Sequence, residues 1–101
     1  MRVISRKRLR DFWESHDTAR IPLTRWFRLV RKASWKSPND ARATFGTVDF
    51  VTGPNRTLAI FNVGGNNFRL SAAIHFNTGR VYIRRVMTHQ EYDAGAWRED
   101  L

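Results

Sequence analysis

Arg84, Arg85, His89 and Tyr92 crowd into one short stretch, residues 81–92, which reads VYIRRVMTHQEY. Guanidiniums, an imidazole and a phenol are the groups needed to grip a phosphate and move protons around it. Metal-free cleavage of a ribonucleotide phosphodiester asks for three such roles: a base at the 2′-hydroxyl, cations at the charged transition state, and an acid at the leaving 5′-oxygen. Arg69, from an earlier segment, supplies a further cation. Arg69, Arg84, His89 and Tyr92 are therefore the candidate catalytic residues. His89 and Tyr92 share the proton-transfer role between them, with acid and base left open.

Positioning these groups falls to a strand that runs into a helix. The stretch begins with β-prone alternation and reaches Thr88, a good N-cap residue, with Glu91 three positions on to close a capping box. Three strands are expected, at residues 57–63, 68–76 and 80–86. Gly64-Gly65-Asn66-Asn67 and Asn77-Thr78-Gly79 link them, so the strands should form an antiparallel meander. In the middle strand Phe68, Leu70, Ala72, Ile74 and Phe76 share the face under the helices, and Arg69, Ser71, Ala73 and His75 share the other. If Val81 and Ile83 join the core, alternation puts Tyr82 and Arg84 on the Arg69 side. Arg85 then falls near the sheet rim, facing away from Arg84, as a candidate RNA contact.

Ahead of the meander the period is helical. Residues 1–4 are a short β-prone start suited to a sheet edge, and Ser5 reads as the N-cap of a helix to about His16, with Leu9, Phe12, Trp13 and His16 in one stripe. His16 closes an apolar stripe, so its expected role is structural. Pro22 fits the first turn of a second helix, where Leu23, Trp26, Phe27 and Val30 face inward while Arg25, Arg28, Arg31 and Lys32 form an outward basic ridge. Trp35 reads as an anchor between segments, Ser37-Pro38 as the start of a short third helix, and residues 48–51 as a short strand or irregular edge. At the C-terminal end the pattern predicts a short helix that frays, with Trp97 docked on the sheet.

The charge balance names the class of partner. Eighteen Lys and Arg against nine Asp and Glu leave +9, and fifteen of the cations are Arg, whose planar fork suits phosphates. Residues 1–42 carry twelve cations and four acids, so the helical part holds most of the excess. Such a face attracts nucleic acid over long range. Zero cysteines exclude disulfides, thiolate zinc sites and cysteine nucleophiles. The three histidines sit in different elements without ligand spacing, so no metal and no cofactor are expected. The longest apolar run is four residues, and the N-terminus lacks an apolar signal core, which points to a cytoplasmic protein with no membrane partner. The length fits one domain over residues 1–101.

Two longer strings carry a resemblance. FNVGGNNFRL at residues 61–70, followed by Tyr82-Ile83-Arg84 and by THQEYD at residues 88–93, resembles the HigB-type toxins of the RelE/ParE superfamily. Trp35-Lys36-Ser37-Pro38 and the opening Met1-Arg2-Val3-Ile4-Ser5 also fit, so the likeness runs nearly end to end.

The resemblance implies an α+β, RelE-like domain: an N-terminal helical hairpin packed on a curved, mainly antiparallel sheet of about four strands, then a short C-terminal helix. It implies a ribosome-dependent mRNA endonuclease, neutralised by a HigA-like antitoxin with a helix-turn-helix, the complex repressing its own operon through operator DNA. Arg69 and Arg84 then match the strand arginines that hold the scissile phosphate, and His89 and Tyr92 the C-terminal group implicated in proton transfer. No Lys lies in the three strands, so Lys36 or another Arg must stand in for the sheet lysine of some members. The Arg25, Arg28, Arg31 and Lys32 ridge is expected to bind ribosomal RNA. Two other readings remain at this stage, a ParE-like topoisomerase inhibitor that cuts no RNA and a DNA-binding corepressor.

Overall fold

A computed structural model describes residues 1–101. The elements are β1 (Arg2–Ile4), α1 (Lys7–Ser15), α2 (Arg20–Lys32), α3 (Pro38–Thr44), β2 (Asp49–Thr52), β3 (Thr57–Val63), β4 (Phe68–His75), β5 (Arg80–Thr88) and α4 (His89–Ala94). A 3₁₀ turn at Asp17–Ala19 joins α1 to α2, and another, Ala96–Asp100, follows α4. The sheet order is β1-β5-β4-β3-β2, antiparallel except for the parallel β1–β5 pair. The sheet thus has five strands rather than four. The extra edge comes from residues 2–4, whose parallel pairing with Arg80–Tyr82 brings together segments far apart in sequence.

Ser5 does not cap α1. It sits at φ 72°, in the left-handed region, because the chain must turn sharply from β1 into the helix, and a capping residue needs extended backbone. α3 also starts without a bond from the Ser37 side chain; the Asp40 carboxylate instead accepts from the Lys36 N–H at 2.7 Å.

The helices cover one sheet face with the main core. Leu23, Trp26 and Val30 of α2 and Leu9 of α1 meet Phe61, Leu70, Ala72, Val81 and Ile83. Trp35 anchors as expected: it is buried, its Nε1 donates to Thr44 Oγ1 at 3.0 Å, and its ring packs on Phe45 and Phe61. His16 is structural, lying flat on Phe12 with centroids 4.1 Å apart and its edge towards Phe68.

The opposite face holds a second, smaller core. Leu58, Ile60, Met87 and Trp97 bury one another there, with Tyr92, Ala73, Val51 and Leu101 around them. The C-terminal segment therefore does not fray. Trp97 is 1% exposed, and the Leu101 carbonyl accepts from the N–H groups of Asn55 and Arg56.

Candidate functional site

β5 is two residues longer than expected and carries an irregularity at the point that matters. Ser71 pairs with Arg85 but Ala72 pairs with Ile83, which leaves Arg84 as the extra residue of a bulge. The bulge resets the alternation: Val86 returns to the helix-side core and Met87 to the second core. It also corrects the expected divergence of the two arginines. Arg85 and Arg84 turn to the same carboxylate, Asp100, with Arg85 Nε to Oδ2 at 2.8 Å and Arg84 Nη2 to Oδ1 at 3.8 Å.

The Arg85–Asp100 contact is the shortest ion pair of the fold. The Arg85 hydrogen bond holds the Asp100 carboxyl below its ordinary range, outweighing a burial effect that pushes it up, and the same bond raises Arg85. A carboxyl lowered in the folded state adds stability above its unfolded value of about 3.9, and that stability is lost as pH falls through the lowered folded value. Asp100→Asn should therefore cost about 1 kcal/mol near neutral pH, with a gap to the parent that closes on acidification below about pH 4. Urea melts between pH 7 and pH 2.5 read this directly.

At its end β5 hands over to α4 through the predicted capping box. Thr88 Oγ1 accepts from the Glu91 N–H at 3.1 Å and Glu91 Oε1 accepts from the Thr88 N–H at 2.9 Å. Thr88→Ala should cost about 1 kcal/mol in a denaturant melt. Gly95, at φ 87°, closes the helix in the left-handed conformation and redirects the chain into the 3₁₀ turn that delivers Trp97.

This junction brings Tyr92 to Arg69. The Arg69 guanidinium lies 5.4 Å from the Tyr92 ring centroid, and that ring stacks on Trp97 at 5.2 Å with planes 10° apart. Arg69 itself is 7% exposed. Its hydrogen bonds all go to neutral oxygens: the Asn66 carbonyl (3.2 Å), Asn66 Oδ1 (3.0 Å) and the Phe68 carbonyl (3.1 Å). No carboxylate pairs with it, so a buried cation stands uncompensated with two of its five N–H donors unused. His89, one turn before Tyr92, is half exposed and sits 3.1 Å from Asp93 Oδ2.

The four candidates therefore form two groups. Arg69 faces Tyr92, with His89 one helical turn earlier and turned to Asp93, while Arg84 sits on the bulge with Arg85 and Asp100. Trp97 links them: it stacks on Tyr92 and also lines a cleft of about 550 Å³ with Arg84 and Arg85. Two lining residues of that cleft, Arg8 and Asp11 of α1, are not among the candidates read from the sequence. Their approach to β5 is a tertiary fact.

Arg25, Arg28, Arg31 and Lys32 are exposed along α2, as expected, with Leu29 among them at 43% exposure and Ile21 one turn before them at 72%. Lys36 is exposed ahead of α3 and makes no side-chain bond or ion pair. No group of three or more His, Cys, Asp or Glu is placed to hold a metal ion, and no helix is long and apolar enough to cross a membrane.

Comparison with known families decides the relationship. The family described as HigB toxin, RelE-like toxic component of a toxin-antitoxin system, matches residues 19–95. The chain belongs to the HigB toxin family. Its five-stranded α+β fold is accordingly a RelE-like one. The "mRNA interferase toxin HigB" of Escherichia coli K12 is 34% identical over 92% of this chain and 88% of its own length. The "mRNA interferase HigB" of Shigella flexneri matches equally, and that of Escherichia coli O6:H1 is 26% identical over 92% of this chain and 89% of its own. The HigB match contains Arg69, Arg84, His89 and Tyr92, and stops short of α1 and the final 3₁₀ turn.

Proposed function

We propose that this HigB-family chain is a ribosome-dependent mRNA endonuclease, the toxin of a type II toxin-antitoxin pair. The observation that carries the reading is Arg69: a buried guanidinium without a counter-ion, beside a phenol and one helical turn from an imidazole. An uncompensated buried cation is stabilised by an arriving anion, and a phosphate is the anion that the basic surface collects. The names of the relatives, mRNA interferases, agree with it.

In the mechanism, the 2′-hydroxyl attacks the adjacent phosphorus, forming the O2′–P bond and expelling the 5′-oxygen. One of His89 and Tyr92 takes the 2′-proton and the other protonates the leaving oxygen. Arg69 holds the scissile phosphate, and Arg84 adds positive charge as the phosphorane forms. The products are a 2′,3′-cyclic phosphate or 3′-phosphate and a 5′-hydroxyl. The Arg25, Arg28, Arg31 and Lys32 ridge, together with Lys36 and Arg85, binds ribosomal RNA and message. A HigA-like antitoxin neutralises the toxin in the cytoplasm and links the pair to operator DNA.

Purified chain added to ribosomes programmed with a defined message tests the reading. Cleavage that requires the ribosome, persists in a chelator and leaves 5′-hydroxyl ends is expected. Uncut message under those conditions overturns it.

A further inference from the structure

The cleft beside Arg84 lies along the free half of an edge. β1 covers β5 only as far as Tyr82, so residues 83–88 have no strand on that side. There α1 and the segment after β5 flank the cleft, which has a volume within the range of about 300–1,000 Å³ usual for small-ligand sites. Its apolar lining is Phe12, Val86 and Ala96 at the surface, with the buried Met87 and Trp97 behind them. Its rim carries Arg8, Asp11, Arg84, Arg85 and Glu91.

The rim groups differ in what they have left to give. Arg85 is bound to Asp100 at 2.8 Å, and one Glu91 oxygen is taken by the helix cap. Arg8, in contrast, has no side-chain hydrogen bond or ion pair, and Arg84 has only the 3.8 Å approach to Asp100. Asp11 meets Lys7 at 3.7 Å with both side chains more than half exposed, a loose contact that a ligand can replace. One unpaired guanidinium, a second held only by a 3.8 Å contact, a loosely paired carboxylate and an apolar lining match one nucleotide: phosphate on the arginines, base on the apolar lining, and a base donor on the carboxylate.

We infer that this cleft is a subsite for one nucleotide of single-stranded RNA next to the scissile phosphate, with Arg8 a phosphate contact and Asp11 a base-reading contact. The inference rests on the RNA-cleaving reading above. Asp11 accepts from the exocyclic amino group of adenine, cytosine or guanine, which uracil lacks. A base inside a duplex cannot reach the apolar lining, so the ligand is single-stranded. Trp97 joins the subsite to the Arg69–Tyr92 group, since it stacks on Tyr92 and lines the cleft.

The test uses fluorescent 2′-O-methyl tetranucleotides, which cannot be cleaved, and purified full-length chain at fixed salt. Arg8→Ala should weaken binding about tenfold. Arg42→Ala removes the same charge from α3, where the guanidinium lies over Phe50 at the far edge of the sheet, and should weaken it less than about twofold. Asp11→Ala should weaken oligo-A, oligo-C or oligo-G about fivefold or more while oligo-U binds unchanged or tighter. No binding by the parent chain, equal losses for the two arginine variants, or uniform tightening by Asp11→Ala overturns the subsite. A chain that shows the expected discrimination yet leaves ribosome-bound message uncut keeps the subsite and loses the cleavage reading.

Discussion

A chain carrying His89→Ala and Tyr92→Phe together should cleave message about 10²–10⁴-fold more slowly than the parent while folding normally. The pair is chosen so that only protons are lost. His89 has 48% of its side chain exposed and bonds only to a neighbouring helix carboxylate, so its removal leaves the core untouched. Tyr92→Phe keeps the ring that stacks on Trp97 and faces Arg69, and deletes the phenol alone. Single variants add a finer reading: the group acting as base shifts the acid limb of the pH–rate profile, and the acid shifts the alkaline limb. A double variant of undiminished rate removes both residues from the chemistry and leaves the arginines as binding groups.

The second large effect concerns the surface that carries the site. Trp97→Ala should destabilise the fold by about 3–5 kcal/mol, the usual cost of emptying a large buried aromatic position. Trp97 closes the smaller core over Leu58, Ile60 and Met87, and its Nε1 donates to the Tyr92 carbonyl at 3.0 Å. Domains of this size have about 5–15 kcal/mol in all, so the midpoint should fall by at least about 10 °C. Calorimetry decides it, and a shift within about 3 °C would mean that the C-terminal turn is not part of the cooperative unit. Loss of Trp97 also frees Tyr92, so catalysis in this variant should fail at temperatures where the rest of the fold persists.

The parts of the molecule written in local chemistry are legible in the sequence. Glycine and asparagine between β-prone runs set the β3–β4–β5 meander, and Thr88 with Glu91 set the start of α4. Alternation along β4 placed Arg69 opposite the helices, and Arg69 meets Tyr92 there. What escaped is non-local. Residues 1–4 read as suited to a sheet edge and β1 is one, but its partner β5 and their parallel pairing lie nearly the whole chain away, which no local pattern encodes. The bulge escaped although the alternation breaks at Arg84-Arg85, two polar residues followed by the apolar pair Val86-Met87; the register shift lets the two cores bury one residue of that pair each. The same shift decides that Arg84 and Arg85 converge on Asp100, and the packing of α1 against the edge of β5 puts Arg8 in a cleft.

The central claim is that this constellation cuts message on the ribosome, and mapping of cellular mRNA ends by primer extension after brief induction tests it most directly. Wild-type induction should produce new 5′ ends phased with the reading frame inside translated regions. The Arg84→Ala, His89→Ala double variant should produce none and should leave growth unimpaired. Growth arrest without such ends, as a topoisomerase inhibitor would give, or full cleavage by the double variant, would contradict the account.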